Sequence, residues 1–231
     1  MTIDLLERAH AALGELVDEV VFVGGATIAL WITDPAAPPV RVTEDIDVIV
    51  EVTSRSGYYQ FEDRLRKAGF REEQRVICRW LHHDSDLILD AMPADASILG
   101  FENRWQRESL PHAVDVKLPS GARIRAVPPA HLLATKLEAF AGRGKGDTLA
   151  SQDFADIVAL IDGREELVGE VRTAPRELGE YVADQLGKLV EGGRLLDGVY
   201  AQLRADEVSQ RRAEEVVMAR VQELIARRAT G

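Results

Sequence analysis

The segment VRVTEDIDVIVEV, residues 40–52, places two acids one residue apart in an otherwise apolar, β-branched stretch. Such a stretch predicts a buried strand. Side chains alternate between the two faces of a strand, so Asp45 and Asp47 project from one face with Cα atoms roughly 7 Å apart. Two carboxylates that close repel each other unless a cation lies between them. The pattern therefore predicts a strand with one core face and one face that carries paired acids.

A third acid, Asp90, interrupts the apolar stretch LILDAM. If the two strands are neighbours, three carboxylates lie together on one sheet. Oxygen ligands alone suit Mg²⁺ or Mn²⁺, which favour octahedral oxygen coordination. We therefore expect Asp45, Asp47 and Asp90 to bind metal in a two-metal phosphoryl-transfer site. The alternative is that Asp45 caps the strand entrance while Asp47 faces solvent.

The chain has 231 residues, 46% of them hydrophobic, which is enough to bury a core in one large domain or two small ones. Its formal charge of -11 argues against binding nucleic acid by general phosphate neutralisation, although a local basic groove stays open. The single cysteine, Cys78, excludes an internal disulfide. We expect a cytoplasmic protein, because no apolar run is long enough to span a membrane and the first residues do not resemble a signal peptide.

The predicted secondary structure changes near the middle of the sequence. Residues 1–127 mix strand-like and helix-like stretches, including the hairpin pattern AVDVKLPSGARIRAV, whereas residues 128–231 are helical in character. We predict an α+β fold in which a small mixed β-sheet core with helices on one side is followed by a C-terminal helical region. The stretches EQRVICRWLH and DLILDAM predict two further strands, separated by a polar turn.

A Gly-Gly pair joins a predicted strand to a predicted helix in VFVGGATIAL. Without a Cβ atom, Gly24 and Gly25 allow backbone amides at a helix start to approach a phosphate. Many strand-to-helix turns use glycine for conformation alone. The pair therefore indicates phosphate binding only in combination with the acidic strand that follows it.

The succession GG, TEDIDV and LILDAM resembles the signature of the polymerase-β-type nucleotidyltransferase superfamily, a Gly-Gly or Gly-Ser turn followed by Asp-x-Asp and a later acidic strand. RVTEDIDV together with HLLATKLEAFAGRGKGDTLASQDFADIVAL is similar to the AbiEii-like nucleotidyltransferases, which include toxins of toxin–antitoxin pairs. The resemblance covers about residues 20–162. It implies transfer of a nucleoside monophosphate from an NTP to an acceptor, with tRNA or another cellular target as acceptor and a cognate antitoxin as partner.

The resemblance also implies roles for residues of the first half. Gly24 and Gly25 would hold the triphosphate, and Asp45, Asp47 and Asp90 would bind Mg²⁺ or Mn²⁺. One cation would orient the triphosphate and assist pyrophosphate departure. The other would lower the pKa of an acceptor hydroxyl, with Asp90 as base.

Further roles fall on the helical half and on the residue that precedes the acidic strand. Lys136 would contact the triphosphate, Asp153 would complete the site, and Arg41 would meet the triphosphate or pair with a nearby acid. The residue before the helical aspartate is often basic in this family, whereas here it is Gln152. From the sequence alone, Lys136 also fits a side chain that snorkels at the edge of the packed face, and Asp153 fits a first-turn acid. Asp156, one turn later, would support its neighbours or face solvent.

Two polar stretches remain. GRGKGDT carries Arg143 and Lys145 among glycines, which suits either a basic loop that closes on phosphates or a solvated connection. RWLHHDSD contains zinc-type ligands, but adjacent histidines on a strand point to opposite faces, which favours a polar hairpin turn. Cys78, in the apolar stretch before it, is expected to be a core residue rather than a nucleophile.

The acceptor stays open at this point: RNA, a protein hydroxyl and a small molecule of the antibiotic type all fit the chemistry. An alternative of another class is a catalytically silent nucleotide-binding or interaction module that keeps the fold. The presence of all three strand acids together with Lys136 and Asp153 favours the enzyme.

Overall fold

The computed structural model describes residues 2–52, 54–99, 103–142, 146–203 and 206–226. The chain divides into two compact units. One comprises Met1–Leu30 and Val42–Pro128, and the other comprises Trp31–Arg41 and Pro129–Gly231. The proline-rich segment 31–41 therefore belongs with the helices of the second half, although it precedes the acidic strand in sequence.

The first unit is built on one mixed sheet. Its strands are β1 (Val20–Val23), β2 (Asp45–Val50), β3 (Phe70–Glu72), β4 (Arg79–His82), β5 (Ile88–Pro93), β6 (Val114–Lys117) and β7 (Arg123–Ala126). The helices that accompany them are α1 (Thr2–Leu13), α2 (Gly25–Trp31), α3 (Arg55–Lys67), α4 (Ala96–Leu99) and α5 (Arg104–Ser109), with 3₁₀ turns at Gly14–Glu19 and Leu110–His112. This arrangement confirms the predicted α+β class.

Within the described residues the strand order is β3-β4-β5-β2-β1-β7-β6. The pairs β2–β5 and β1–β7 are parallel, and all the other neighbours are antiparallel. The predicted hairpin of residues 113–127 is confirmed as β6–β7. A polar turn joins β4 to β5, as predicted, so the histidines of RWLHHDSD belong to a hairpin.

The alternation of side chains along β2 separates the core from the acids. Ile46 and Val48 are fully buried, whereas Asp45 and Asp47 are half-buried on the opposite face. Burying the apolar face contributes about 2 kcal/mol for each large aliphatic side chain, which fixes the facing of the whole strand. The acids are therefore held on their face by the packing behind them.

Helix α3 covers buried surface of the first unit with a regular apolar stripe. Tyr58, Phe61 and Leu65 are spaced three and four residues apart and are buried. The side chain of Ser54 accepts a hydrogen bond from a backbone amide and caps the helix start. Gly69, with a φ of +89°, follows the helix end, where a left-handed residue is favoured.

The predicted strand EQRVICRWLH is correct only from Arg79 onward. The residues before it form turns, and Val76 and Ile77 are exposed. Cys78 adopts a left-handed backbone with a φ of 60° and is half-buried in this turn, so its predicted place in an apolar strand is wrong. The apolar residues before Arg79 indicated a strand, but they form the connection between β3 and β4, which pair with each other.

The second unit is helical. Its elements are α6 (Pro129–Gly142), α7 (Gln152–Gly163), α8 (Leu167–Thr173), α9 (Arg176–Glu191), α10 (Leu195–Gln202), α11 (Glu207–Arg212), a π-helical segment (Ala213–Met218) and α12 (Ala219–Ile225). The side chain of Ser151 caps α7 by accepting a hydrogen bond from the amide of Phe154 at 3.3 Å. None of the helices in the described part of the chain has the length and apolar character needed to cross a membrane.

Candidate functional site

Charged residues stand in a row across three neighbouring strands. In the parallel β2–β5 pair, Asp47 is the direct Cα partner of Asp90. In the antiparallel β4–β5 pair, Arg79 is the partner of Asp90. Direct partners project from the same face with Cβ atoms about 5 Å apart, and Asp45 shares this face because it lies two residues before Asp47. The strands that carry the acids are thus neighbours, which is the condition that the sequence analysis set for a shared acidic face.

Arg79 connects two of the three acids. Its Nε donates to Oδ1 of Asp90 at 2.8 Å, and its Nη2 donates to Oδ2 of Asp90 at 2.7 Å and to Oδ2 of Asp45 at 2.8 Å. The remaining oxygen of Asp45 accepts a hydrogen bond from the hydroxyl of Thr43 at 3.0 Å. A forked guanidinium bound to both oxygens of a carboxylate is the strong form of this interaction.

The sequence analysis did not identify Arg79, although the hairpin contains a signal for it. Leu81 pairs with Ile88 across the β4–β5 turn. Moving two residues outward on both strands brings Arg79 opposite Asp90. Register in a hairpin follows from the length of its turn, so a recognised turn after His82 would have been enough to place these two residues together.

Gly24 lies directly against the third acid. It follows β1, whose last residue, Val23, pairs with Asp47. A Cβ atom at Gly24 would stand 1.9 Å from Oδ2 of Asp47, and the backbone has a φ of +81°. The hydroxyl of Thr27 donates to the carbonyl of Gly24 at 2.9 Å and holds the turn into α2, which begins at Gly25. Only glycine fits both the conformation and the space.

The electrostatics of this face follow from its charges. Hydrogen bonding to Asp90 is the main reason that the pKa of Arg79 lies above its ordinary value, and Asp45 and Asp47 add to the effect. Burial, followed by the charges of Asp90 and Asp47, raises the pKa of the Cys78 thiol to about 12. The thiol is therefore neutral near pH 7, which does not suit a nucleophile.

The residues suit a divalent cation in their chemistry. Within the described residues, no three His, Cys, Asp or Glu side chains converge as a ready-made metal-binding group. Two carboxylates do converge on one positive charge, since the guanidinium of Arg79 pairs with both Asp45 and Asp90. Asp47 is the strand partner of Asp90 and supplies a third hard oxygen donor on that face. This donor set fits Mg²⁺ or Mn²⁺.

The histidines and acids of RWLHHDSD, which were considered as zinc ligands, lie at the end of β4 and in the turn that follows it. His82 ends β4, and its Nδ1 lies 3.1 Å from the hydroxyl of Ser85. His83 and Asp84 lie in the turn with 3.6 Å between Nδ1 and the carboxylate. The two imidazole rings meet edge to face at 5.3 Å between centroids, so the expectation that they point to opposite faces is wrong. Asp86 pairs with Arg8.

The helical unit contains a buried charged cluster of its own. Nζ of Lys136 lies 2.7 Å from Oδ2 of Asp156 and 3.4 Å from Oδ1 of Asp153. Arg41 donates to both oxygens of Asp156, at 2.8 Å and 3.0 Å. Lys136 is 5% exposed and Asp156 is 2% exposed. Buried charges persist only when they are paired in this way.

These contacts decide several alternatives that the sequence left open. Lys136 does not snorkel to the surface, and Asp156 does not face solvent. Arg41 pairs with a nearby acid, which is Asp156. Asp153 is a first-turn acid of α7 and is also buried beside Lys136. Gln152 is exposed at the helix start. Arg143 and Lys145 lie outside the described residues.

Comparison with known proteins does not assign the chain to a family, since no family model matches it and no curated protein matches it. Three features of the molecule bear on its function: the sheet face that carries Asp45, Asp47, Asp90 and Arg79, the glycine turn beside it, and the cluster around Lys136 in the helical unit.

Proposed function

We propose that this protein is a metal-dependent nucleotidyltransferase that moves a nucleoside monophosphate from an NTP to an acceptor. The observation that carries the proposal is the shared sheet face of Asp45, Asp47 and Asp90. The cost of placing three carboxylates together is offset when a cation neutralises them. The close contact between Gly24 and Asp47 supports the same assignment, because it joins the glycine turn to the acids.

In this proposal Asp45, Asp47 and Asp90 hold Mg²⁺ or Mn²⁺, which when bound would neutralise phosphate charge and acidify the attacking hydroxyl. Asp90 is the base that accepts the hydroxyl proton. The turn at Gly24 and Gly25 presents backbone without Cβ atoms to the triphosphate. These roles use carboxylate oxygens and backbone amides only.

The roles of Lys136, Asp153 and Arg41 rest on the family resemblance. Lys136 and Arg41 are both engaged by Asp156 within the helical unit. A triphosphate would therefore have to compete with that carboxylate for their positive charges. Stabilisation of the helical unit is the role that their contacts support directly.

We also propose, from the resemblance, that the acceptor is tRNA, that a cognate antitoxin is a partner and that the protein acts in the cytoplasm. The formal charge of -11 means that RNA binding would depend on a local basic surface. A small-molecule or protein hydroxyl is the competing acceptor class.

A second candidate function is a catalytically silent nucleotide-binding module. The observation that favours it is Arg79, which already neutralises part of the charge of Asp45 and Asp90. In such a module the guanidinium would replace the metal permanently. Divalent cations would then have no effect on nucleotide binding.

The test is incubation of the purified protein with each labelled NTP, Mg²⁺ or Mn²⁺, and total tRNA. The matched variants are Asp47→Asn, which keeps the shape of the side chain, and Asp115→Asn, which changes an exposed acid on β6 of the same sheet. We expect wild type and Asp115→Asn to label tRNA and Asp47→Asn to fail.

The other outcomes separate the alternatives. Metal-dependent NTP binding without label on tRNA would point to a small-molecule or protein acceptor. NTP binding that ignores Mn²⁺ and EDTA would support the silent module. Absence of NTP binding in a folded protein would contradict both functions.

A further inference from the structure

The acidic face is the sheet face that carries Asp45, Asp47 and Asp90. Arg79 lies on the same face, and the proposed chemistry gives it no role. We propose that Arg79 is a tethered counter-ion that competes with divalent cations for Asp45 and Asp90, so that a cation binds by displacing the guanidinium. The inference rests on the proposed function, because it concerns how the same carboxylates acquire their metal. It assigns a regulatory contact to a side chain that would otherwise look purely structural.

The contacts of Arg79 involve the oxygens that a metal would need. Both oxygens of Asp90 and one oxygen of Asp45 accept hydrogen bonds from the guanidinium. The other oxygen of Asp45 accepts from Thr43. Every oxygen of these two carboxylates is thus engaged, and three of the four hydrogen bonds come from one side chain. A cation that binds both acids must take over part of that set.

The charges favour exchange over simultaneous occupancy. Asp45 and Asp90 carry two negative charges against the single positive charge of Arg79, and this excess attracts a divalent cation. A guanidinium and a divalent cation within a few ångströms of each other repel strongly. The face therefore holds either the arginine or the metal between Asp45 and Asp90, and the metal has the larger charge.

Hydrogen bonds hold the backbone around Arg79, whereas part of its side chain is exposed to solvent. The carbonyl of Cys78 accepts a hydrogen bond from the amide of Ala91 at 2.9 Å, and the carbonyl of Arg79 accepts from the amide of Glu73 at 2.8 Å. The side chain of Arg79 is 26% exposed. Rotation about the side-chain bonds of Arg79 would release the guanidinium while the strand keeps these hydrogen bonds.

The experiment is a titration of Mn²⁺ alone, followed by calorimetry, into wild type, Arg79→Gln and Arg125→Gln. The last variant is the control, because Arg125 forms its ion pair with Glu51 and not with Asp45 or Asp90. We expect Arg79→Gln to bind Mn²⁺ roughly tenfold more tightly than wild type, since the competing charge is gone. Arg125→Gln should bind as wild type does.

Thermal unfolding provides a second measurement on the same proteins. In EDTA, Arg79→Gln should unfold at a lower temperature than wild type, because the carboxylates lose their counter-ion. Saturating Mn²⁺ should raise its unfolding temperature by more than it raises that of wild type. If Arg79→Gln does not fold, Arg79→Lys replaces it. Lysine keeps the charge without the fork, so its Mn²⁺ affinity should exceed that of wild type by a smaller factor.

The outcomes separate this inference from the proposed function. If wild type binds Mn²⁺ and the Arg79 variants bind it equally or more weakly, the competition is disproved while the metal site stands. If neither wild type nor the variants bind Mn²⁺, the metal site fails and the competition fails with it.

Discussion

Gly24 and Asp47 are in such close contact that a single added carbon at Gly24 would overlap the carboxylate of Asp47. The added Cβ atom would stand 1.9 Å from Oδ2, 2.6 Å from Cγ and 2.8 Å from Cβ of the aspartate. The contact joins the end of β1 to the middle of β2, where Val23 and Asp47 are partners. The glycine turn and the acidic strand, which stand apart in sequence, are thus parts of one local structure.

The first prediction concerns this contact. Gly24→Ala should lower the free energy of unfolding by about 3 kcal/mol, because alanine meets both a left-handed backbone and a blocked space. Gly14→Ala is the matched control, since Gly14 has a φ of +55° and no neighbour within 4 Å of an added Cβ. It should cost about 1 kcal/mol through the backbone alone. Urea unfolding measures both, and equal losses would show that Asp47 moves aside without cost.

A second prediction concerns the buried pair in the helical unit. Lys136→Met or Asp156→Asn should each destabilise the protein by about 2 kcal/mol, because each removes one charge from a buried cluster in which Arg41 and Asp153 still provide partners. The coupling between Lys136 and Asp156, at 2.7 Å, should exceed that between Lys136 and Asp153, at 3.4 Å. Double-mutant cycles from urea unfolding give both coupling energies. A larger coupling to Asp153 would contradict the observed geometry.

A third prediction concerns the segment 31–41. Arg41 is held by two hydrogen bonds to Asp156, and the next residue, Val42, is exposed. Asp156→Asn should therefore increase tryptic cleavage after Arg41, because the loss of the charged acceptor weakens the hold on the guanidinium that the protease must bind. Mass spectrometry of brief digests measures the rate of this cut. Asp184→Asn, which disrupts an exposed pair with Lys188, should leave it unchanged.

The amides at the start of the same segment provide an internal control. Thr33 and Asp34 donate backbone hydrogen bonds to the carbonyl of Gly163 at 2.9 Å and 3.0 Å. Their hydrogen exchange should stay slow in Asp156→Asn if the substitution loosens only the end of the segment that Arg41 anchors. Faster exchange at both ends would mean that the whole unit has loosened.

A fourth prediction concerns pH. Burial raises the pKa of the Cys78 thiol to about 12 from an ordinary value near 9. The folded chain keeps the thiol neutral, so its contribution to stability is complete below about pH 9 and is lost as the pH rises towards about 12. Between about pH 8 and pH 11, wild type should lose about 2–3 kcal/mol more than Cys78→Ser, because serine does not titrate there. Urea unfolding at the two pH values tests this, and equal losses would show that the thiol ionises freely in the folded chain.

Local patterns determined the class of the fold and the chemistry of β2. The alternation of Asp45 and Asp47 with Ile46 and Val48 predicted a strand with two unlike faces, because side-chain facing in a strand depends on sequence position alone. Turn residues predicted the β6–β7 hairpin for the same local reason. The apolar run before Arg79 misled, since composition does not distinguish a strand from the turn that connects two strands.

Tertiary structure decided which charges meet. The pairing of β4, β5 and β2 brings Arg79 to Asp90 and Asp45, and the packing of α6 against α7 buries Lys136 beside Asp156. The sequence by itself therefore determined that the strand has an acidic face and that the second half is helical. Only the fold decided that an arginine neutralises that face, because the register between strands and the packing between helices depend on burying apolar surface contributed by distant parts of the chain.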